Sequence, residues 1–432
     1  MRALIWMTAA TVLASMSAGC GERQRPCGLD QTCPMNTHCV DGFCRNAPWW
    51  ADVKGGGDGA CLSGAQAKAP AGRSAAVGGW VSGAFEIYGG NPSGGGLCQK
   101  PGTSAFTAHR WRTCGGWQAH AGPVPTPRAD AASATGFGSV WSFGGRRRDG
   151  GGGPWALQGD PWRLSGSPAR WTLASTSDAP VRHSAAIAVQ ESPPSVWVFG
   201  GDASSNDAPA LYLPDIRRYR LDQSEWDLPV VTGARPAARA EHGLVALNGG
   251  AKLVLFGGAA QDGLRGDTWV FDTKTMQWQA RTDAGPSPRR SFAMAADQDT
   301  VWLFGGIDDS PQVIRNDLWR FQLATGWERL RAGDLGAEAL VGGVVEQASS
   351  ICAPPSKWVN LDLESPPRRS HAISDVHDGG LWVYGGRGSC GPLGDLWRLD
   401  FESLQWTVEG TDDTHYPCPR DNTGCSAWCE SP

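Results

Sequence analysis

The sequence is short of the features that would announce most functions. An excess of either charge is lacking: charged residues make up 19% of the 432, the formal net charge is -5, and no basic stripe exists, which argues against a nucleic-acid partner. No long helical periodicity appears, so a helical bundle is excluded as the main architecture. Beyond the N-terminus there is no apolar run long enough to cross a bilayer. No tight C-x2-4-C pair of the kind that holds structural zinc occurs. No G-x-S-x-G elbow is present either. What the chain has instead is 59 Gly and 22 Trp, the makings of many turns and many short, aromatic-packed strands. Its length suffices for one large repeat domain or two to three ordinary ones.

The N-terminus reads as a targeting segment. Arg2 supplies a positive charge, and the apolar stretch from Ala3 to Met16 suits a secretory signal but is short for a membrane span. It ends in Ser17-Ala18-Gly19-Cys20, which resembles a bacterial lipobox, although Ser17 stands where Leu is usual. The resemblance implies a signal peptide over 1–19 and lipidation of Cys20. An ordinary cleaved signal is the plainer reading. Gly21, where an Asp would favour inner-membrane retention, points by the same resemblance to an outer-membrane anchor.

Thirteen Cys are present, an odd number, so a lipidated Cys20 leaves twelve that can pair in an oxidising compartment. Cys27, Cys33, Cys39 and Cys44 are spaced C-x5-C-x5-C-x4-C. That spacing favours a disulfide-rich knob over 20–48 rather than a zinc site. It resembles the short Cys-rich modules that follow the lipidated Cys of some bacterial surface lipoproteins. Residues 49–69 read as a linker. Cys61, Cys98, Cys390, Cys418, Cys425 and Cys429 are further disulfide candidates, the last three in a Cys-rich tail over 411–432. Connectivity is open.

From about residue 70 the chain repeats. Apolar runs end in paired glycines at Gly89-Gly90, Gly144-Gly145, Gly200-Gly201, Gly257-Gly258, Gly305-Gly306 and Gly385-Gly386, spaced 55, 56, 57, 48 and 80 residues apart. Periods near 50 indicate a propeller or an array. Other residues keep station with the glycines. An Arg precedes each apolar strand (Arg73, Arg128, Arg182, Arg239, Arg289, Arg368). An Asp-aromatic strand follows, most clearly at Asp267, Asp317 and Asp395. A Trp then opens a fourth strand, at Trp117, Trp171, Trp226, Trp278, Trp327 and Trp406. In the fifth unit Trp327 and Trp358 each fit one side of the spacing, which implies an insertion over 328–357.

Arg, apolar strand, Gly-Gly, Asp-aromatic strand and Trp, recurring in that order, resemble the Kelch repeat, whose units each form one four-stranded blade of a β-propeller. The resemblance covers roughly 70–410 and implies an all-β fold: a six-bladed propeller preceded by a small disulfide-rich segment. The first unit departs most, since its third strand lacks the Asp-aromatic form. Stacked in a ring, blades that are marginal alone bury both faces. The paired Gly are expected at sharp turns beside a neighbouring blade. A phosphate loop is excluded because these turns lead into strands rather than helices. The Trp are expected to fill the space between blades. Antiparallel alternation puts Arg and Asp at one end of each blade, so Arg–Asp pairs are expected there.

Kelch-like propellers bind protein or carbohydrate on one loop-bearing face, and the resemblance carries that expectation here. The long loops after the glycines make Arg146, Arg147, Arg148 and Trp155 binding candidates. The alternative is an envelope enzyme acting on sugars, oxidase- or isomerase-like. The copper radical enzyme galactose oxidase uses a Kelch-like propeller, but five Tyr and the scattered His183, His242 and His371 supply no ligand set to carry over. No catalytic residue, cofactor or metal site is expected. The expected whole is an exported, non-catalytic envelope lipoprotein, held to the membrane by lipid alone.

Overall fold

A computed structural model describes residues 25–26, 37–40, 43–46, 72–91, 108–112, 116–119, 124–148, 155–175, 180–205, 208–309, 312–333, 365–388 and 391–410. The chain divides into two units, Met1–Gly64 and Ala65–Pro432. In the first, Phe43–Asn46 pairs with both Arg25–Pro26 and Thr37–Val40, which sets Cys39 opposite Cys44 in the ladder. Cys20, Cys27, Cys33, Cys61, Cys98, Cys390, Cys418, Cys425 and Cys429 lie outside the described residues, as does the expected linker. No described helix is long and apolar enough to cross a membrane.

The second unit is a ring of antiparallel sheets, each made from consecutive strands of one repeat. Its inner strands are Ser74–Val81, Ala132–Gly136, Ala186–Gln190, Gly243–Leu247, Ala293–Asp297 and Ile373–His377, and each neighbours the next, the last returning to the first. The expectation of a six-bladed propeller is corrected: among the described residues five sheets form four-stranded blades, and the remaining one has five strands. The exception is the sheet of the fifth repeat. Its inner edge is split into Arg289–Arg290 and Ala293–Asp297, both paired with the long strand Thr300–Asp309. Strand order from the axis outward follows the sequence order, so no strand crosses from the last repeat into the first.

The repeated residues explain one another. Both members of each Gly-Gly pair have positive φ, for example 64° at Gly257 and 99° at Gly258. A Cβ on Gly257 would stand 2.7 Å from the carbonyl oxygen of Arg289, in the next repeat. This close approach lets the N–H of each second glycine donate to the next repeat's Arg carbonyl, as Gly258 does to Arg289 at 2.8 Å and Gly386 does to Arg73 at 2.8 Å across the seam. The doubled glycine is therefore an inter-sheet latch. Within each repeat the Arg guanidinium donates to the first glycine's carbonyl, as from Arg289 to Gly305 at 3.0 Å.

The same Arg forks onto the third-strand Asp. The pairs are Arg128–Asp160, Arg182–Asp215, Arg239–Asp267, Arg289–Asp317 and Arg369–Asp395. An indole N–H two residues on donates to four of these carboxylates, from Trp162, Trp269, Trp319 and Trp397. The last repeat corrects the sequence reading: Arg369, not Arg368, holds this place. Two adjacent arginines left the register open, and the backbone bonds around His371 fix it.

The fourth-strand Trp packs across the sheet boundary onto the aromatic ring that precedes the previous repeat's glycines. Trp171 lies on Tyr88, Trp226 on Phe143, Trp278 on Phe199, Trp327 on Phe256 and Trp406 on Phe304, with ring centroids 5.1–5.6 Å apart. Trp117 lies in the strand Gly116–Ala119. Trp327 is thus the repeat Trp of the fifth unit, and Trp358 lies outside the described residues. The insertion assigned to 328–357 begins too early, because the outer strand continues to Arg331 and the segment outside the described residues is 334–364.

Candidate ligand-binding mouth

Two residues after each repeat Arg, at or just before the start of the inner strand, the chain takes a left-handed conformation. Ala75, Asp130, Ser184, Glu241, Ser291 and His371 have φ between 52° and 57°. Each donates its N–H to the carbonyl of the equivalent residue one repeat earlier, and Ala75 donates to His371, at 2.7–3.2 Å. These bonds form a closed collar around the axis, at the end where the Gly-Gly turns and Arg–Asp pairs also lie. Below it a cavity of about 170 Å³ runs along the axis, walled by Ala131, Ala185, Met294 and Ala372 among others. The mouth of the channel is polar and its shaft largely apolar.

The collar side chains are tied together by charge. Asp130 accepts from Arg146 Nε at 2.6 Å. Glu241 accepts from Arg290 through both oxygens at 2.9 Å, takes a hydrogen bond from the Ser291 hydroxyl, and lies 3.6 Å from His371 Nε2. Burial would raise the Glu241 carboxyl, but His371, Arg290 and Ser291 together hold it down at about 2. The Glu241–His371 contact passes over the intervening fifth repeat, so it crosses part of the opening. His183, beside Asp202 at 3.9 Å, is lowered first by burial and then by the charge of Arg146. His242 does not join the collar. It is buried between sheets against Phe199, and burial pushes it down to about 3. The three histidines are therefore not brought together. Among the described residues no group of three His, Cys, Asp or Glu is placed to hold a metal ion.

The binding candidates sit on a hairpin that rises from the same end. Arg146–Arg148 pairs with Trp155–Leu157, setting Arg148 opposite Trp155 and Arg147 opposite Ala156. The Arg146 guanidinium lies 4.7 Å from the Trp155 ring centroid while its Nε holds Asp130. Arg146 thus joins the hairpin to the collar. Sequence reasoning singled out the loop that forms this hairpin and noted His371 only as a scattered histidine, and it missed Asp130, Glu241 and Ser291. The recurring Arg was the available signal, since each collar residue lies two positions after it.

A ring of antiparallel sheets with a polar axial mouth at its loop-bearing end defines the class: a β-propeller. Residues 182–334 match the KLHDC2/KLHL20/DRC7 Kelch-repeats domain. Similar chains include host cell factor 1 of Rattus norvegicus, 28% identical over 253 residues, which are 55% of this chain and 11% of that protein. Kelch repeat-containing protein 2 of Saccharomyces cerevisiae is 28% identical over 177 residues, 36% of this chain and 20% of that one. Human host cell factor 2 is 27% identical over 268 residues, 58% and 30% respectively. The chain therefore spans less than a third of the length of these relatives.

Proposed function

We propose that this protein is an exported cell-envelope lipoprotein, anchored through Cys20, whose propeller binds a protein partner at the loop-bearing end, around the axial mouth. The five-stranded sheet serves in this reading as the sixth blade. The observation that carries it is the collar: side chains from separate repeats converge on one opening, beside a hairpin that displays Arg146 and Trp155. Likeness to Kelch-repeat proteins supports a protein partner ahead of a carbohydrate one. The alternative of a sugar-directed enzyme would draw on the same mouth. It is disfavoured because Asp130 and Glu241 are already engaged by Arg146 and Arg290, which suits a preorganised recognition surface better than proton transfer.

Two measurements test this. The mature protein is screened against a random-sequence peptide library and a glycan array, with Arg146→Ala and Trp155→Ala in parallel. The expected result is selection of peptides, with affinity lowered about tenfold or more in each variant. Glycan binding alone, or peptide binding indifferent to both variants, overturns the protein-binding reading. Metabolic labelling with an alkyne fatty acid is expected to mark the wild type and not Cys20→Ser; equal labelling overturns the anchor.

A further inference from the structure

The opposite end of the axis holds a buried acid that the binding mouth does not use. Asp375 is the third residue of the last inner strand, Ile373–His377, and is 5% exposed. One carboxylate oxygen accepts the backbone N–H of Trp80, from the first sheet, at 2.7 Å. The other accepts the Thr135 hydroxyl, from the second sheet, and the N–H of Val376. One side chain therefore joins three sheets at the place where the ring closes. The first sheet makes room for it: a Cβ on Gly79 would stand 2.8 Å from the Asp375 oxygen and 2.6 Å from Thr135 Cγ2. Trp80 is in turn stacked on His377, with centroids 4.3 Å apart, and meets Trp382 edge-on.

We propose that Asp375 is a proton-controlled clasp at this seam: its neutral carboxyl holds the first, second and last sheets together, and loss of the proton loosens them. The hydrogen-bonding groups facing it are all neutral, two backbone N–H groups and one hydroxyl. The titratable or charged side chains on the elements around it are Glu86, opposite Gly79; His377, two residues along; and Arg398, whose guanidinium lies over the Trp382 ring. None of them is hydrogen-bonded to the carboxyl. Among the described residues an ionised Asp375 is thus a buried charge with donors but no counter-charge, and burial penalises it. The released proton has a way out, because a cavity of about 210 Å³ adjoins the carboxyl, lined by Ser139, Thr135 and His377. Burial pushes the group up to about 6 despite the three donors.

The sign follows. The folded chain keeps a proton on Asp375 between the unfolded value, near 4, and about 6, so the clasp is strongest in mild acid and weakens as pH rises through about 6. The test reads the Trp80 amide, which donates to the carboxyl, by hydrogen exchange on the full chain from pH 4.5 to 7.5, after correction for intrinsic base catalysis. In the wild type its protection is expected to fall by up to roughly 30-fold across the window, because part of the effect is already spent between pH 4 and 4.5. Asp375→Asn keeps an acceptor for Trp80 but cannot ionise, and is expected to hold constant protection. Thr135→Val removes a hydrogen bond that favours the charged form and is expected to move the transition to higher pH. An Asp375→Asn protein with the wild-type pH dependence, or a Thr135→Val transition that does not move, overturns the proposal.

Discussion

Each end of the propeller axis carries a half-buried or buried acid, and the two behave oppositely. Glu241, at the loop-bearing end, is held down to about 2, whereas Asp375, at the far end, is pushed up to about 6. Burial pushes both carboxyls upward. The difference is the company: Glu241 has a nearby His371 and an Arg290 nitrogen that donates to both its oxygens, while Asp375 has only neutral donors. Three neutral donors do not offset desolvation at Asp375, whereas His371, Arg290 and Ser291 together do so at Glu241. The stability windows are therefore opposite in sign. Glu241 stabilises the fold above its unfolded value, near 4.5, and that contribution is lost as pH falls through about 2. Asp375 does so in acid and loses its contribution as pH rises through about 6.

The largest effect expected lies at the loop-bearing end, where charge is most completely enclosed. Asp317→Ala leaves Arg289 buried without its partner, since both side chains are less than 9% exposed. The expected loss is about 3–5 kcal/mol, seen as a lower urea midpoint and a lower melting temperature. Unchanged unfolding would remove the Arg–Asp pairs from the framework. Next comes Glu241→Gln, which keeps the shape and removes the charge. Its cost at neutral pH is about 3 kcal/mol, from a shift of roughly two and a half pKa units. Denaturation midpoints of variant and wild type should converge as pH falls toward 2. Constant separation across that range would mean that Glu241 acts by packing and not by charge.

The two ends also differ in how far they were legible. Arg, Gly-Gly, Asp and Trp could be read because each is one residue type doing one job in repeat after repeat: forking onto an acid, latching to the next sheet, or filling a boundary. The collar could not be read that way. Its six positions hold Ala, Asp, Ser, Glu, Ser and His, and what recurs there is a backbone conformation, not a side chain. Non-glycine residues carry the left-handed strain, and the inter-repeat hydrogen bonds offset it. Asp375 was invisible for a related reason. It belongs to no repeat pattern, and its partners Trp80 and Thr135 are 295 and 240 residues away in sequence. The adjacent Arg368 and Arg369 show the limit of spacing alone, because one residue of uncertainty changed which guanidinium was buried.

Gly79→Ala addresses the far end with a smaller expected effect. The new methyl would meet the Asp375 oxygen and Thr135 at distances no Cβ tolerates, and φ at this residue is 155°. Overpacking of this kind costs about 1–3 kcal/mol. The loss should shrink in part in Gly79→Ala/Asp375→Ala, since removing the carboxyl relieves one of the two close contacts and leaves that to Thr135 Cγ2. Additive losses in a double-mutant cycle would show that the glycine is needed for its backbone and not for the acid.

The smallest effect separates charge from burial within a single sheet. Arg320 and Glu328 form an ion pair in the fifth repeat at 2.8 Å, with side chains 39% and 57% exposed. In residue chemistry this pair matches Arg289–Asp317, whose Asp317 shares a strand with Arg320. In water its attraction is screened and two long side chains must be ordered to make it, so Arg320→Ala should cost less than about 1 kcal/mol. It should also respond to salt, fading by 0.5 M NaCl, while the Asp317→Ala loss should persist there because enclosed pairs are poorly screened. A cost at Arg320 equal to that at Asp317 would mean that proximity of opposite charges, and not their enclosure, sets the strength of these contacts. The contrast drawn between the two ends of the axis would then fail with it.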